Sequence, residues 1–326
     1  DDSRRKENLN RLSWIGQMCR AYGLEFILGT WQQTPWTKQQ QMLVEGLPEG
    51  EGHLAHYCAA GLKALLSQCQ EIDGIHFRVN HEAGIGDRNT NEAFWKECIR
   101  AVAEAGRKLK LDLRAKGLTD GMIQFALEAG LDVTVPTKYW CEHAGLPYHL
   151  TQMREEELRQ LDNLNHSRRY SYSDLLRKPH TYSMLFRLWN MGSSCIFLWG
   201  DPDYVRRFSQ SCRIGDAVGY EIAAPLSLKG GHELTQRAPW HLHKKPDFRH
   251  YAREDERYWL WYLLFGRIGY SGVTHPDVWG RAFRSRFGRE AAPLLERAYR
   301  SASKILPLVT AFHMPVHPLL CYWTEL

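Results

Sequence analysis

Four polar side chains alternate along the stretch 74–84, whose first seven residues are otherwise typical of a buried strand. Because a strand has a period of two residues, His76, Arg78, Asn80 and Glu82 lie on one face. Polar groups on a buried face are costly unless that face lines a polar pocket. Glu82 then stands at the carboxyl end of the strand, where parallel α/β barrels hold their catalytic groups. The alternative is a structural Arg–Glu pair that steadies a loop.

Basic side chains end the neighbouring predicted strands in the same way. Arg114 follows Asp112 on one face of the next strand, and Lys138 ends the strand after that. The three cations Arg78, Arg114 and Lys138 would repel one another in an empty pocket, so they require internal carboxylates or an anionic ligand. Asp112 can serve Arg114, which is the structural account of that pair.

Carboxylates near tryptophans favour glycoside chemistry, in which one carboxylic acid protonates the leaving oxygen and a second carboxylate activates water or attacks. Glu82 is the predicted acid, because its surroundings mix apolar and hydrogen-bonding groups. Asp201 and Glu142 are the candidate partners, although an Asp before Pro202 is also typical of a helix N-cap. The predicted substrate-binding residues are Arg78, Asn80, Arg114, Lys138, Trp140 and Trp199.

Strands and helices alternate along the sequence that carries these residues. Helical spacing of apolar residues predicts a helix before or after each strand, including one that Thr119 caps and Gly130 ends, and one at 181–191. A nearly all-apolar helix is predicted from Glu254 onward, followed by helices near 276–287 and 289–306. This alternation is typical of parallel βα units. No glycine-rich phosphate loop follows a strand, which disfavours a doubly wound sheet. The strands are predicted at 24–31, 74–80, 109–115, 132–138, 194–200 and 217–223.

The predicted fold class is therefore α/β, a (β/α)8 TIM-like barrel followed by a helical C-terminal region. Only six strands are predicted, so we expect the first two βα units to lie upstream of Asp1. The expected domains are a barrel over 1–250 and a helical region over 251–326 that packs on it. Glu221 lies in the middle of its predicted strand and is expected to be an internal ion-pair partner.

Composition narrows the possible functions. The net charge is +5, and no basic run carries interleaved aromatics, so nucleic acid is not an expected partner. No apolar run approaches the roughly 20 residues of a membrane span. The eight cysteines form no CxxC pair, which predicts reduced thiols and, with no signal peptide in the sequence, a cytoplasmic or periplasmic location. His241 and His243 have no third ligand at a suggestive spacing, so no metal or other cofactor is expected.

At these residues the chain resembles the bacterial and fungal α-glucuronidases, which remove (4-O-methyl-)glucuronic acid from xylan fragments. Arg78 stands where that family has a lysine, and Glu82 stands at the family's catalytic acid, in Glu-Ala-Gly where the family has Glu-Gly. The family's fifth-strand arginine and sixth-strand lysine look like Arg114 and Lys138, and they hold the uronate carboxylate. The stretch 262–270 is similar to the family's Tyr-Ala-Phe-Gly-Arg-Leu-Ala-Trp.

The resemblance covers roughly residues 10–290, and it is weakest at the catalytic base. His143 falls where the family has an aspartate, with Glu142 one residue earlier, and Asp201 only loosely matches the family's glutamate after the seventh strand. The acid and the carboxylate-binding groups therefore carry over better than the base does. The family inverts, which implies a base that reaches the sugar through a water.

The sequence thus predicts a glycoside hydrolase that removes an α-linked uronic acid from an oligo- or polysaccharide, inverting, with Glu82 as general acid. The expected partner is the acidic oligosaccharide substrate, and a homodimer is left open. The alternative function is a non-catalytic barrel that binds acidic glycans.

Overall fold

The structure is a computed structural model that describes residues 2–31, 46–47, 51–79, 83, 85, 92–137, 177, 179–188, 199–222, 247, 254–305 and 308. The described residues form two compact units. The first unit contains those up to Thr137 together with 177 and 179–184, and the second contains those from Leu185 onward. The predicted domain boundary at residue 250 stays a prediction.

Helices and parallel strands alternate through the first unit, which confirms the βα pattern predicted there. The strands pair in chain order, β1 with β2, β2 with β3 and β3 with β4, and each pair is parallel. This mixed α/β arrangement is consistent with a partial α/β barrel, and the eight-stranded barrel stays a prediction. The elements are α1 (Asp2–Ala21), β1 (Ile27–Thr30), α2 (Glu51–Gln68), β2 (Gly74–Phe77), α3 (Glu92–Ala103), β3 (Lys110–Leu113), α4 (Asp120–Glu128) and β4 (Asp132–Thr137).

The two faces of this sheet differ in polarity. On one face Ile75 and Phe77 are fully buried, and the Phe77 ring centroid lies 5.6 Å from that of Trp95 on α3. Burial of each such side chain stabilises the fold by roughly 1.5–3 kcal/mol. The opposite face carries His76 and Asp112 as direct register partners. A slip of one residue would exchange the two faces, so the apolar face fixes the register of the polar one.

Helix α4 begins and ends at the residues that the sequence predicts. The Thr119 hydroxyl accepts a hydrogen bond from the N–H of Met122 at 3.2 Å, so it caps the helix. Gly130 follows the last turn with φ at +79°, a left-handed conformation that glycine adopts without strain. The helix N-terminus is thereby fixed just beyond the carboxyl end of β3.

Parallel strands and several helices lie in the second unit, whose residues from Leu185 onward include the greater part of the first of these strands. Strand β5 (Ser183–Leu188) pairs with β6 (Gly219–Ile222). Aromatic rings fill its core: Trp199 stacks on Phe265 with centroids 5.7 Å apart, and Tyr204 stacks on Phe208 at 5.8 Å. The helices are α5 (Pro202–Ser211), α6 (Glu254–Arg257), α7 (Trp259–Tyr270) and α8 (Asp277–Ser303).

Of two sequence predictions for this part of the chain, one is wrong and the other lies mostly outside the described residues. The predicted helix at 181–191 is wrong, because the segment contains strand β5. Its apolar residues fit a helical spacing, but Met184, Phe186 and Leu188 also follow a period of two, and these three are buried. Periodicity alone does not separate strand from helix in so short an apolar run. The predicted strand at 194–200 lies outside the described residues except for its last two.

The helices after residue 254 follow the sequence prediction closely. The nearly all-apolar stretch becomes α7, which buries six side chains, among them Trp261 and Leu264. Helix α8 contains both helices predicted near 276–287 and 289–306, and its helical dihedral angles are interrupted between them at Gly288 (φ 77°, ψ 170°). No helix in the described part of the chain is long and apolar enough to cross a membrane.

Candidate active site

Three side chains form a row across the carboxyl ends of β1, β2 and β3. Gly29, His76 and Asp112 are register partners on these adjacent strands. Each residue of the row (Trp31, Arg78 and Arg114) comes two positions after one of these partners. They therefore lie on the same polar face, one layer nearer the carboxyl ends. The N–H of Arg114 donates to the carbonyl oxygen of Phe77 at 3.1 Å, which extends the strand pairing into this layer. We call these residues the Trp31–Arg78–Arg114 row.

The two arginines of the row are buried, and the indole covers one of them. Arg78 is 7% exposed and Arg114 is 2% exposed. The Arg78 guanidinium lies over the Trp31 ring, with Cζ 3.1 Å from the ring centroid. A cation over an indole face is stabilised by about 0.5–2 kcal/mol, more as the pair is desolvated. The contact orients the guanidinium and removes water from one side without neutralising its charge.

The charges of the row favour an anionic ligand. Neighbouring parallel strands are about 4.8 Å apart, and two like charges about 5 Å apart repel by roughly 3 kcal/mol at an effective dielectric constant near 20. Asp112 lies one layer below on the same face of β3 and offsets part of this charge. A carboxylate that meets both guanidiniums would form charge-assisted, bidentate hydrogen bonds.

An ion pair fixes a distant segment at the same end of the sheet. Arg177 donates through Nη1 and Nη2 to the two carboxylate oxygens of Asp120, at 2.9 and 3.1 Å. Asp120 is the first residue of α4, and α4 follows the carboxyl end of β3. The bidentate geometry is the strong form of such a pair. It holds the chain at Arg177 beside the loop that follows Arg114.

In the second unit the structure gives Asp201 and Trp199 clear structural partners. Asp201 is 2% exposed, and its Oδ1 accepts a hydrogen bond from the N–H of Asp203 at 3.0 Å, so it caps α5. Trp199 is 1% exposed, and its Nε1 donates to the carbonyl oxygen of Ser303 at 3.0 Å. The N-cap alternative for Asp201 thus has direct geometric support, while its role as base stays a prediction. The burial of Trp199 favours a core role over the predicted sugar contact.

Glu221 is an internal ion-pair partner, as the sequence predicts. Arg187 and Glu221 are register partners on β5 and β6, and Nη2 of the arginine lies 2.7 Å from Oε2 of the glutamate. Tyr220 and Phe186 lie on the other face of the strands. The pair is a buried arginine held by a half-exposed carboxylate, so the charge of Arg187 has a protein partner.

The remaining predicted site residues lie outside the described residues. They are the proposed acid, one candidate base and three substrate contacts: Glu82, Glu142, Asn80, Lys138 and Trp140. The structure therefore brings together Arg78 and Arg114 from the predicted set, and it adds Trp31 to them.

Metal-binding and thiol chemistry have little support in the described ranges. No group of three His, Cys, Asp or Glu side chains in them is arranged to hold a metal ion, and His241 and His243 lie outside them. Burial raises the pKa of the Cys58 thiol to about 11. Burial, and then the charges of Cys58 and Glu97, raise the pKa of the Cys98 thiol to about 12. Both thiols are protonated at neutral pH and are poor nucleophiles.

Among solved structures, the chain is similar to one described as a GH138 enzyme targeting pectin rhamnogalacturonan II. The TM-score is 0.62, and the match covers 94% of this chain at 14% sequence identity. This chain spans 35% of the length of that protein. No protein-family profile and no curated protein matches the sequence. The likeness shows the fold alone.

Sequence reasoning missed two features of the site. Trp31 ends the predicted strand 24–31, and its period-two relation to Gly29 could have placed it on the polar face, but only the β1–β2 register brings it to Arg78. Arg177 and Asp120 are 57 residues apart, and no local pattern links them.

Proposed function

We propose that this chain is part of a glycoside hydrolase that removes an α-linked uronic acid from an oligo- or polysaccharide. The Trp31–Arg78–Arg114 row carries the proposal, because it combines two buried guanidiniums with an aromatic ring at the carboxyl ends of adjacent parallel strands. A sugar carboxylate matches paired guanidiniums, and the indole orients one of them. The fold likeness to a GH138 enzyme that targets pectin rhamnogalacturonan II supports glycan hydrolysis at a coarse level.

In this proposal each residue has one task. Arg78 and Arg114, joined by Lys138, hold the uronate carboxylate, and Asn80 and Trp140 contact the sugar. Glu82 protonates the leaving oxygen as general acid. Asp201 or Glu142 holds the water that attacks from the opposite face, which inverts the anomeric centre. The α-glucuronidase activity that the sequence resemblance implies is one specific form of this reaction.

Substrate preference tests the proposal. We expect the full chain to prefer an aryl α-uronoside over the matching neutral α-hexoside by at least about 10²-fold in kcat/KM, because the neutral sugar cannot form charge-assisted hydrogen bonds with the buried guanidiniums. Arg78→Gln should reduce this preference by about tenfold or more. Arg100→Gln, which removes an exposed arginine of α3 paired with Glu97, is the matched control and should leave it unchanged. A neutral hexoside hydrolysed as fast as the uronoside would overturn the proposal.

One observation favours a second candidate function, a non-catalytic barrel that binds acidic glycans. Asp201 is buried and serves as the N-cap of α5, which engages one candidate base in a structural task. Under this alternative the chain binds uronic acid oligosaccharides through the same row but hydrolyses none of them. Calorimetric titration together with an activity screen on α-uronosides separates the two functions.

A further inference from the structure

A cavity of about 500 Å³ opens in the second unit at the amino-terminal end of β6. Catalytic groups of α/β barrels stand at the carboxyl ends of the strands, so this cavity lies at the other end of β6 from such a position. Its volume is within the range of about 300–1,000 Å³ that small-molecule sites occupy. Its lining includes Ser209, Gln210, Arg213, Tyr220, Tyr270 and Gly272.

Hydrogen bonds between its walls hold the cavity in shape. The Tyr220 hydroxyl donates to the carbonyl oxygen of Phe265 on α7 and accepts from the Ser209 hydroxyl on α5, both at 3.4 Å. Arg206 of α5 donates through Nε to the carbonyl oxygen of Gly272 at 3.2 Å, in the turn after α7. The three segments that line the cavity are thus tied to one another, so the cavity is preformed.

The chemistry of the lining matches an acidic saccharide. Tyr270 is 95% exposed at the edge of the cavity, where its flat face can take a sugar ring. Ser209 and Gln210 add a hydroxyl and an amide, which match sugar hydroxyls.

The charge of the lining points to an anion. Arg213 is the charged side chain among the lining residues that the structure describes, and none of those residues carries a carboxylate. Cys212 also lines the cavity, but burial raises the pKa of its thiol, so it adds no negative charge at neutral pH.

We propose that this cavity is a second, non-catalytic binding site for an acidic saccharide. Tyr270 stacks on the sugar ring, Arg213 binds its carboxylate, and the polar groups of α5 contact its hydroxyls. The site is independent of the proposed hydrolysis, because it uses no residue of the Trp31–Arg78–Arg114 row. The site would bind an acidic glycan whether or not the protein cleaves that glycan.

Fluorine NMR of the full chain labelled with 3-fluorotyrosine tests the site directly, with the Tyr270 resonance assigned from Tyr270→Phe. A linear trimer of galacturonic acid should shift this resonance, and the neutral galactose trimer at the same concentration should not. Arg213→Gln should weaken the response by about tenfold, the value of one lost charge-assisted hydrogen bond. Arg207→Gln on the adjoining helix α5 is the matched control and should leave it unchanged.

A blocking variant completes the test. Gly272 lines the cavity, and a Cβ on it meets no protein atom within 4 Å, so the backbone there has room for the first atom of the leucine side chain in Gly272→Leu. It should abolish the shift of the Tyr270 resonance. Three results would overturn the proposal. The Tyr270 resonance could show no shift with the acidic trimer, it could shift equally with the neutral trimer, or it could lose its shift in Arg78→Gln. The last outcome would place the ligand at the Trp31–Arg78–Arg114 row instead.

Discussion

Replacing Trp31 with leucine should weaken the binding of uronic acids through the loss of one contact. The indole covers the Arg78 guanidinium, with Cζ 3.1 Å from the ring centroid, and helps to keep this arginine at 7% exposure. Without the ring, water reaches the guanidinium from that side, and the side chain gains rotamers that do not face the ligand. A carboxylate that binds must then displace that water and order the side chain again.

The size of this effect follows from the cation–π contact. Such contacts contribute about 0.5–2 kcal/mol, and a loss of about 1 kcal/mol weakens binding roughly fivefold. We therefore expect Trp31→Leu to raise the Kd of glucuronic acid about fivefold by isothermal titration calorimetry on the full chain. Trp31→Phe should raise it less, because a phenyl ring keeps part of the attraction. Trp31 is 47% exposed, so the leucine variant should fold.

A matched control and a neutral ligand make the result decisive. Trp14 is 62% exposed on α1, and Trp14→Leu should leave the affinity for glucuronic acid unchanged. An unchanged Kd in Trp31→Leu would refute the reasoning that the ring supports Arg78. An equal loss for glucose and glucuronic acid would refute it too, because the ring would then act on the sugar and not on the arginine.

Three further predictions concern the reaction and the core. Glu82→Gln should lower kcat by roughly 10²–10⁴ on natural linkages and much less on aryl glycosides with good leaving groups, and equal losses on both would point to a structural role. Proton NMR of the first-formed sugar from an α-linked substrate should show the β-anomer, with an acid–base separation of roughly 6.5–9.5 Å, whereas α-anomer first would exclude inversion. Ser303→Ala should lower the free energy of unfolding by about 1–3 kcal/mol, measured by urea denaturation, because the Ser303 hydroxyl accepts the buried N–H of Gly200 at 2.7 Å; an unchanged midpoint would contradict this.

The sequence predicts the elements of the first unit well because local signals agree there. Apolar residues alternate with polar ones in the strand that begins at Gly74, and Thr119 and Gly130 mark both ends of α4. In β5 the local signals conflict, because its apolar residues satisfy both the helical and the strand period. The choice of strand depends on pairing with β6, which is a tertiary contact and leaves no trace in the local pattern.

The candidate site shows the same difference between what local patterns predict and what tertiary contacts decide. A period of two is enough to put Arg78 on one face with His76, and Arg114 on one face with Asp112. The contact of Arg78 with Trp31 needs the offset between β1 and β2, which side-chain packing sets across the sheet. The pairing of Arg177 with Asp120 needs the course of the chain between them. Sequence patterns therefore predict which residues share a face, and the tertiary fold decides which of them meet.

Two other arginines in the described part of the chain show how a protein can compensate the charge of a guanidinium, and the row can be compared with them. Arg107 donates to the carbonyl oxygens of Leu66, Cys69 and Ile72 at the end of α2, as expected of a structural arginine. Arg187 pairs with the carboxylate of Glu221. Arg78 lies against an indole, which shields and orients its guanidinium. With Arg114 beside it on the next strand, the row contains two oriented guanidiniums that match the bidentate geometry of a carboxylate, and this is why we assign the row to a carboxylate-bearing sugar.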